Sequence, residues 1–96
     1  PPRRPVLAYA LRRPGGVELR AVATGRDEPF LFAVFRFPGR APSEGFRDAR
    51  NLVAVVPGDR QVRWVDPDGG RGDHYQVVAV DRANRTSRPS NGFRVL

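Results

Sequence analysis

The chain has 96 residues, no cysteine and a formal net charge of +7. That length allows one small domain, and the missing cysteine excludes disulfides and thiolate metal sites as supports, so packing alone must hold the core. All 17 basic residues are arginine, with no Lys, Ile or Met. A GC-rich bacterial genome accounts for this usage. A polyanion-binding surface would call for clustering. Only Arg3-Arg4 and Arg12-Arg13 are adjacent, and no aromatic cluster interleaves with a basic stripe, so nucleic acid is not the expected partner. No stretch approaches the ~20 apolar residues of a membrane helix, so no membrane insertion is expected. Absence of Cys does not exclude export.

In chain order, Pro1-Pro2-Arg3-Arg4-Pro5 reads as an extended linker (residues 1–5), and residues 6–96 read as one domain. With no initiator Met and no signal peptide, the expectation is a piece of a longer protein whose targeting signal lies elsewhere. Val6–Leu11 is predicted as a first strand with Leu7, Tyr9 and Leu11 on one face. Pro14-Gly15-Gly16 is a turn by residue type. Val17–Ala23 alternates, with Val17, Leu19 and Ala21 inward and Glu18 and Arg20 outward, as in a half-buried strand. Phe30–Phe37 is apolar on both faces. Phe30, Phe32 and Val34 line one; Leu31, Ala33, Phe35 and Phe37 line the other, which marks a central strand. Residues 38–51 form a long polar connection with one helical turn expected around Glu44–Ala49. Leu52–Val56 and Gln61–Val65 are short strands, the second with Val62 and Trp64 inward. Tyr75–Val80 is a strand with Tyr75, Val77 and Ala79 on one face. Asp81 ends it, Arg82–Arg85 turn, Thr86–Pro89 begin a return strand, and a last strand ends at Val95 and Leu96. About seven short strands with Gly/Pro punctuation and no helical period predict an all-β, immunoglobulin-like sandwich.

The chain resembles a fibronectin type III domain. The resemblance rests on Pro5 with Leu7, Val17 and Leu19, Phe32, Val34 and Arg36, then Tyr75, Val77, Ala79, Val80 and Asp81, and Ser87 and Ser90. Tyr75 sits where that family has its tyrosine-corner residue. The family usually has a Trp in its second strand, and here that position is Ala21. The single Trp, Trp64, lies in the strand expected beside it, so Trp64 is expected to fill the volume Ala21 leaves open. The expected structural core comprises Leu19, Phe32, Val34, Trp64 and Tyr75. A narrower resemblance, carried by FRFPGR, NLVAVV and YQVVAVDRANRTSRPS, is to the C-terminal domain of bacterial family 10 glycosyl-hydrolase-like lipoproteins. It implies a secreted or envelope-anchored bacterial protein in which a catalytic barrel precedes the sandwich. It implies no catalytic residue within this chain.

The candidate sites each face a plainer reading. Arg71-Gly72-Asp73 spells an integrin-binding tripeptide, but it precedes the sixth strand, whereas adhesive domains carry it after that strand. Asp66, Asp68 and Asp73 echo part of a calcium loop, yet no closing carboxylate follows and Asp-Pro-Asp-Gly is ordinary turn chemistry. His74, the only His, has no nucleophile placed beside it by the sequence; Ser43, Ser87 and Ser90 are not positioned to serve. Glu18, Glu28 and Glu44 fall on an outer face or in loops, which does not suit paired-carboxylate glycoside chemistry. Asn84-Arg85-Thr86 matches a glycosylation sequon and reads as a turn. No catalytic residue, cofactor or metal is expected. The most informative feature is the second apolar face: Leu31, Phe35 and Phe37 with Val78 and Val80 on the neighbouring strand, a candidate interface. The alternative is that residues 38–51 fold over it. The expected function is a non-catalytic accessory domain of a glycosyl-hydrolase-like protein that docks on, or spaces, the preceding catalytic domain. The alternative is a carbohydrate, cell-wall or adhesion module using exposed aromatics such as Tyr9 or Phe46.

Overall fold

In the computed structural model, residues 1–25, 29, 31–39, 49–58 and 60–96 are described. Among them are seven strands: β1 (Val6–Arg13), β2 (Gly16–Val22), β3 (Leu31–Phe37), β4 (Leu52–Pro57), β5 (Gln61–Asp66), β6 (His74–Val80) and β7 (Phe93–Arg94). They form two antiparallel sheets, one in the order β1-β2-β5 and one in the order β4-β3-β6-β7. This is the predicted immunoglobulin-like sandwich.

Alternation explains the layers. In β2, Val17, Leu19 and Ala21 are buried while the residues between them are half-exposed, so one face packs and the other meets water. The inner faces of both sheets meet in one cluster. Leu7, Ala10, Val17, Leu19 and Ala21 come from the first sheet; Phe32, Val34, Tyr75, Val77, Ala79 and Val95 come from the second sheet and the chain end. Full burial of a side chain such as Phe32 contributes about 1.5–3 kcal/mol. Val62, Trp64, Val56 and Phe93 pack against this cluster from its margins. Leu19, Phe32, Val34 and Tyr75 are thus in the core as expected, and Trp64 contributes from its edge.

The two strand neighbours expected from the sequence, β5 beside β2 and β6 beside β3, are both present. β5 pairs with β2, setting Trp64 opposite Leu19 and diagonal to Ala21. The β1-to-β2 turn brings the chain so close to the end of β5 that a Cβ on Gly16 would sit 2.0 Å from the Asp66 carbonyl oxygen. Only glycine fits there, and its φ of 142° is one that L side chains rarely adopt.

Two local expectations are corrected. Leu7, Tyr9 and Leu11 do not share a face. The register shifts between Leu7 and Tyr9, and this bulge turns Leu7 and Ala10 inward and leaves Leu11 exposed. Nor do Thr86–Pro89 form a return strand. Thr86 makes one isolated bridge to Val80, and the chain then runs along β6 by other means. The Ser87 and Ser90 N–H groups donate to the carbonyls of Ala79 and Val77, both at 2.8 Å. In return, the Ala79 and Val77 N–H groups donate to the hydroxyls of Ser87 and Ser90, both at 2.9 Å. A spacing of three residues on this segment meets a spacing of two on β6. A regular ladder cannot form, and the serine side chains supply the missing acceptors. A 3₁₀ turn occupies Ala49–Asn51. The rest of the helical turn expected around Glu44 lies outside the described residues, as do Glu28, Phe30, Ser43 and Phe46.

The opening segment lies on the sandwich. Pro5 is fully buried, and the Thr24 hydroxyl donates to the Arg4 carbonyl at 2.7 Å.

Candidate functional site

The most concentrated polar chemistry lies between the sheets at the end of β5. Period-two alternation along β5 turns Val62, Trp64 and Asp66 inward. The same alternation along β3 turns Phe32, Val34 and Arg36 inward. A carboxylate from one sheet and a guanidinium from the other therefore enter the same layer. The Arg36 Nη1 donates to Asp66 Oδ2 at 2.7 Å, and the Tyr75 hydroxyl donates to the same oxygen at 2.5 Å. The Asp68 N–H donates to Asp66 Oδ1 at 3.1 Å. Asp66 is 2% exposed, so these donors take the place of the water its carboxylate has lost.

The electrostatics follow from burial and pairing. Burial first, and then the hydrogen bond to Asp66, push the Tyr75 phenol far above its ordinary value of 10.0. Burial works against the Arg36 charge, but the hydrogen bond and charge of Asp66 outweigh it and raise the guanidinium further. The cluster is closed on its outer side by Gly69, where a Cβ would meet the Tyr75 hydroxyl at 2.0 Å and Asp66 Oδ2 at 3.1 Å. No side chain at position 69 fits in that space. This seam is a staple between sheets, with a carboxylate as the acceptor of the corner tyrosine.

The other polar candidates are also engaged in the fold. In the calcium-like loop, Asp66 is held as above, Asp68 is exposed, and Asp73 Oδ2 accepts from the Gly70 N–H at 2.9 Å. Among the described residues no group of three or more His, Cys, Asp and Glu side chains could hold a metal ion. In Arg71-Gly72-Asp73, the Gly72 N–H donates to the Val95 carbonyl and the Val95 N–H returns to the Asp73 carbonyl, both at 2.9 Å. The tripeptide is thus tied to the chain end, and its carboxylate closes a tight turn. His74 opens β6, half-buried, opposite Phe37 and Arg94. Asn84 has a left-handed φ of 65° in a turn that Asp81 closes, its carboxylate accepting from the Arg85 N–H at 2.9 Å and Arg85 Nε at 2.8 Å. The Arg85 N–H, foremost, holds the Asp81 carboxyl below its ordinary value.

The candidate interface is corrected in part. Leu31, Ala33 and Phe35 are half-buried on the outer side of β3, but Phe37, Val78 and Val80 are buried, at 5%, 5% and 9% exposure. These three residues therefore offer no open patch. Most of the 38–51 connection that the sequence suggests as a cover lies outside the described residues. What stays open is the edge of the face: Val55, opposite Ala33, is 52% exposed, and Leu52, opposite Phe35, is 39% exposed.

On the outer face of the β1-β2-β5 sheet, the Tyr9 hydroxyl donates to Glu18 Oε2 at 2.5 Å. That bond, more than burial, raises the Tyr9 phenol. Arg20 donates to Gln61 Oε1 from Nε and Nη2, at 3.2 and 2.7 Å. Tyr9 is half-buried, so it does not present a free aromatic platform.

Sequence reasoning did not connect Arg36 with Asp66, which meet across the sheets, and did not single out Asn91, whose side chain exchanges two hydrogen bonds with the Leu7 backbone. For Arg36 and Asp66 a signal existed, since both sit at inward positions of their alternation. Asn91 carried none.

Strand order, the corner tyrosine and the two-sheet seam define an all-β sandwich of the fibronectin type III-like class. The chain is similar to the crystal structure of a Fn3-like protein from Clostridium thermocellum, with a TM-score of 0.64 and 16% identity over 99% of this chain and 92% of that one. No family model and no curated protein matches the chain.

Proposed function

We propose that this chain is a non-catalytic accessory module. In this reading it is carried by a secreted or envelope-anchored bacterial protein with a glycosyl-hydrolase-like catalytic domain, and it packs against or spaces that domain. The supporting observation is the use made of the polar residues. Arg36, Asp66, Tyr75, Asp73, Asp81, Ser87 and Ser90 all bond within the sandwich, and among the described residues an apolar edge is exposed on the outer face. That edge is Leu52 and Val55 beside Leu31 and Phe35, where an apolar surface open to water favours a partner. The docking surface is accordingly moved from the buried Phe37, Val78 and Val80 to this edge.

The reading is tested in the intact protein with Val55→Arg and Leu52→Arg. Loss of cooperative unfolding between this module and its neighbour, with the module itself still folded, supports docking. Unchanged stability and activity of the whole protein would reject it.

A further inference from the structure

The strongest unassigned chemistry lies at Asn91-Gly92. The Asn91 side chain acts as a surrogate strand for β1: the Leu7 N–H donates to Asn91 Oδ1 and Asn91 Nδ2 donates to the Leu7 carbonyl, both at 2.9 Å. These two bonds join residues 84 positions apart. The backbone around Asn91 is also held, because the Ser90 hydroxyl donates to the Asn91 carbonyl at 2.9 Å. Beyond it, β7 pairs with β6 over two residues only, His74 with Arg94 and Tyr75 with Phe93. Asparagine followed by glycine is also the dipeptide in which the next amide nitrogen meets least steric resistance on its way to the side-chain carbonyl, because glycine has no Cβ.

We propose that Asn91 is a site of spontaneous deamidation, that the clasp on Leu7 gates the reaction, and that each event opens the seam between β1 and the chain end. The Gly92 amide nitrogen attacks Asn91 Cγ, the C–N bond to Nδ2 breaks, and ammonia leaves with the proton from the Gly92 amide. The resulting succinimide takes up one water, which opens the ring at either carbonyl to give aspartate or isoaspartate. The net change is the loss of ammonia and the gain of water. While both side-chain atoms are held by Leu7, Cγ is not free to meet the Gly92 nitrogen, so reaction waits on local opening. Afterwards the donor to Leu7 is gone. A carboxylate oxygen faces the Leu7 carbonyl oxygen, two acceptors without a proton between them. The isoaspartate product also adds a methylene to the main chain immediately before the two-residue β7 pairing.

The test follows the mass gain at residue 91 in the 96-residue chain, native and in denaturant, in mildly alkaline buffer, with peptide mapping that separates the two products. The expected result is a native rate slower by about tenfold or more, as for any change that requires local opening. Asn91→Asp is expected to speed hydrogen exchange of the Leu7 amide by about tenfold while the core amides of β6 keep their protection. Gly92→Ala, which restores a side chain beside the attacking nitrogen, is expected to slow the denatured-state reaction. Equal rates in the native and denatured chain would overturn the gating. Unchanged Leu7 exchange in Asn91→Asp would overturn the role of the clasp. A mass gain confined to Asn51 or Asn84 would overturn the site.

Discussion

Asp66 and Tyr75 stand in opposite sheets, nine positions apart in sequence, and share a hydrogen bond of 2.5 Å in a space that Gly69 keeps clear. Arg36 reaches the same carboxylate oxygen from the centre of the second sheet. One acceptor on β5 thus ties its sheet to two paired strands of the other, a link that backbone pairing cannot make, since ladders run within sheets and only side chains cross between them.

Breaking this group from one side should cost more than removing it. Asp66→Asn leaves a partly buried guanidinium without its counter-charge, and an expected loss of about 3 kcal/mol follows from such half-broken pairs. The double variant Asp66→Leu with Arg36→Met should recover much of that loss. A urea-denaturation cycle over the wild type, Asp66→Leu, Arg36→Met and the double variant measures the coupling, and simple additivity would show that the two residues act independently.

Tyr75→Phe removes a donor to a charged acceptor and should destabilise by about 2 kcal/mol at neutral pH. Its effect on pH dependence is more specific. The folded-state pKa is raised, so the contribution is fully present below the unfolded value of about 10 and is lost as pH rises through and beyond it. In a Tyr9→Phe background, ultraviolet titration should show Tyr75 ionising only as the protein unfolds. A phenol that titrates normally in folded protein would contradict the seam.

Gly69→Ala should destabilise by about 1–3 kcal/mol, because the added methyl overlaps the Tyr75 hydroxyl and comes within 2.9 Å of Val17 Cγ2. Gly70→Ala is the control. A Cβ there meets nothing within 4 Å, and its effect should stay within about 0.5 kcal/mol. Equal thermal shifts for the two variants would mean that space around Tyr75 is not the constraint.

Trp64→Ala should cost about 2–3 kcal/mol, below the range of about 3–5 for a fully buried large aromatic, because Trp64 packs at the margin of the core. As the only tryptophan, it reports on unfolding by its own fluorescence, so the variant is best followed by circular dichroism. A loss under about 0.5 kcal/mol, the scale of an ordinary surface change, would show that Trp64 does not fill the volume beside Ala21.

Ser90→Ala should cost about 1–3 kcal/mol, since it strips the buried Val77 N–H of its acceptor. Ser90→Thr keeps the hydroxyl and should recover part of this. Amide exchange at Val77 is the direct readout, and unchanged protection in Ser90→Ala would refute the role of the serine hydroxyl as its acceptor.

Alternation made most of the fold legible. Hydrophobic spacing in β2, β3, β5 and β6 identified strands, faces and the central position of β3, because a side-chain period of two is local and survives without knowledge of neighbours. The same rule placed Arg36 and Asp66 on inward faces, so their meeting was available to a reader who asked what partner an inward charge requires. The outer face, for which the sequence left an interface and a cover both open, shows the limit of that rule. Val78 and Val80 do lie opposite the inner set, but sequence parity reports which face a residue occupies and not whether that face is covered.

By itself, the sequence determined most of the strands and the sandwich class, since these follow from local periodicity and turn chemistry, while the type III-like likeness came from a family resemblance. Only the tertiary structure decided how polar groups are satisfied. The bulge after Leu7 shifts a face by one residue through strand pairing. Ser87 and Ser90 replace a ladder because their spacing differs from that of β6. Asn91 finds Leu7, and Tyr75 finds Asp66, across distances in sequence that no local pattern encodes. Hydrogen bonds are directional and short, so partners separated along the chain are chosen by the packed geometry of the two sheets.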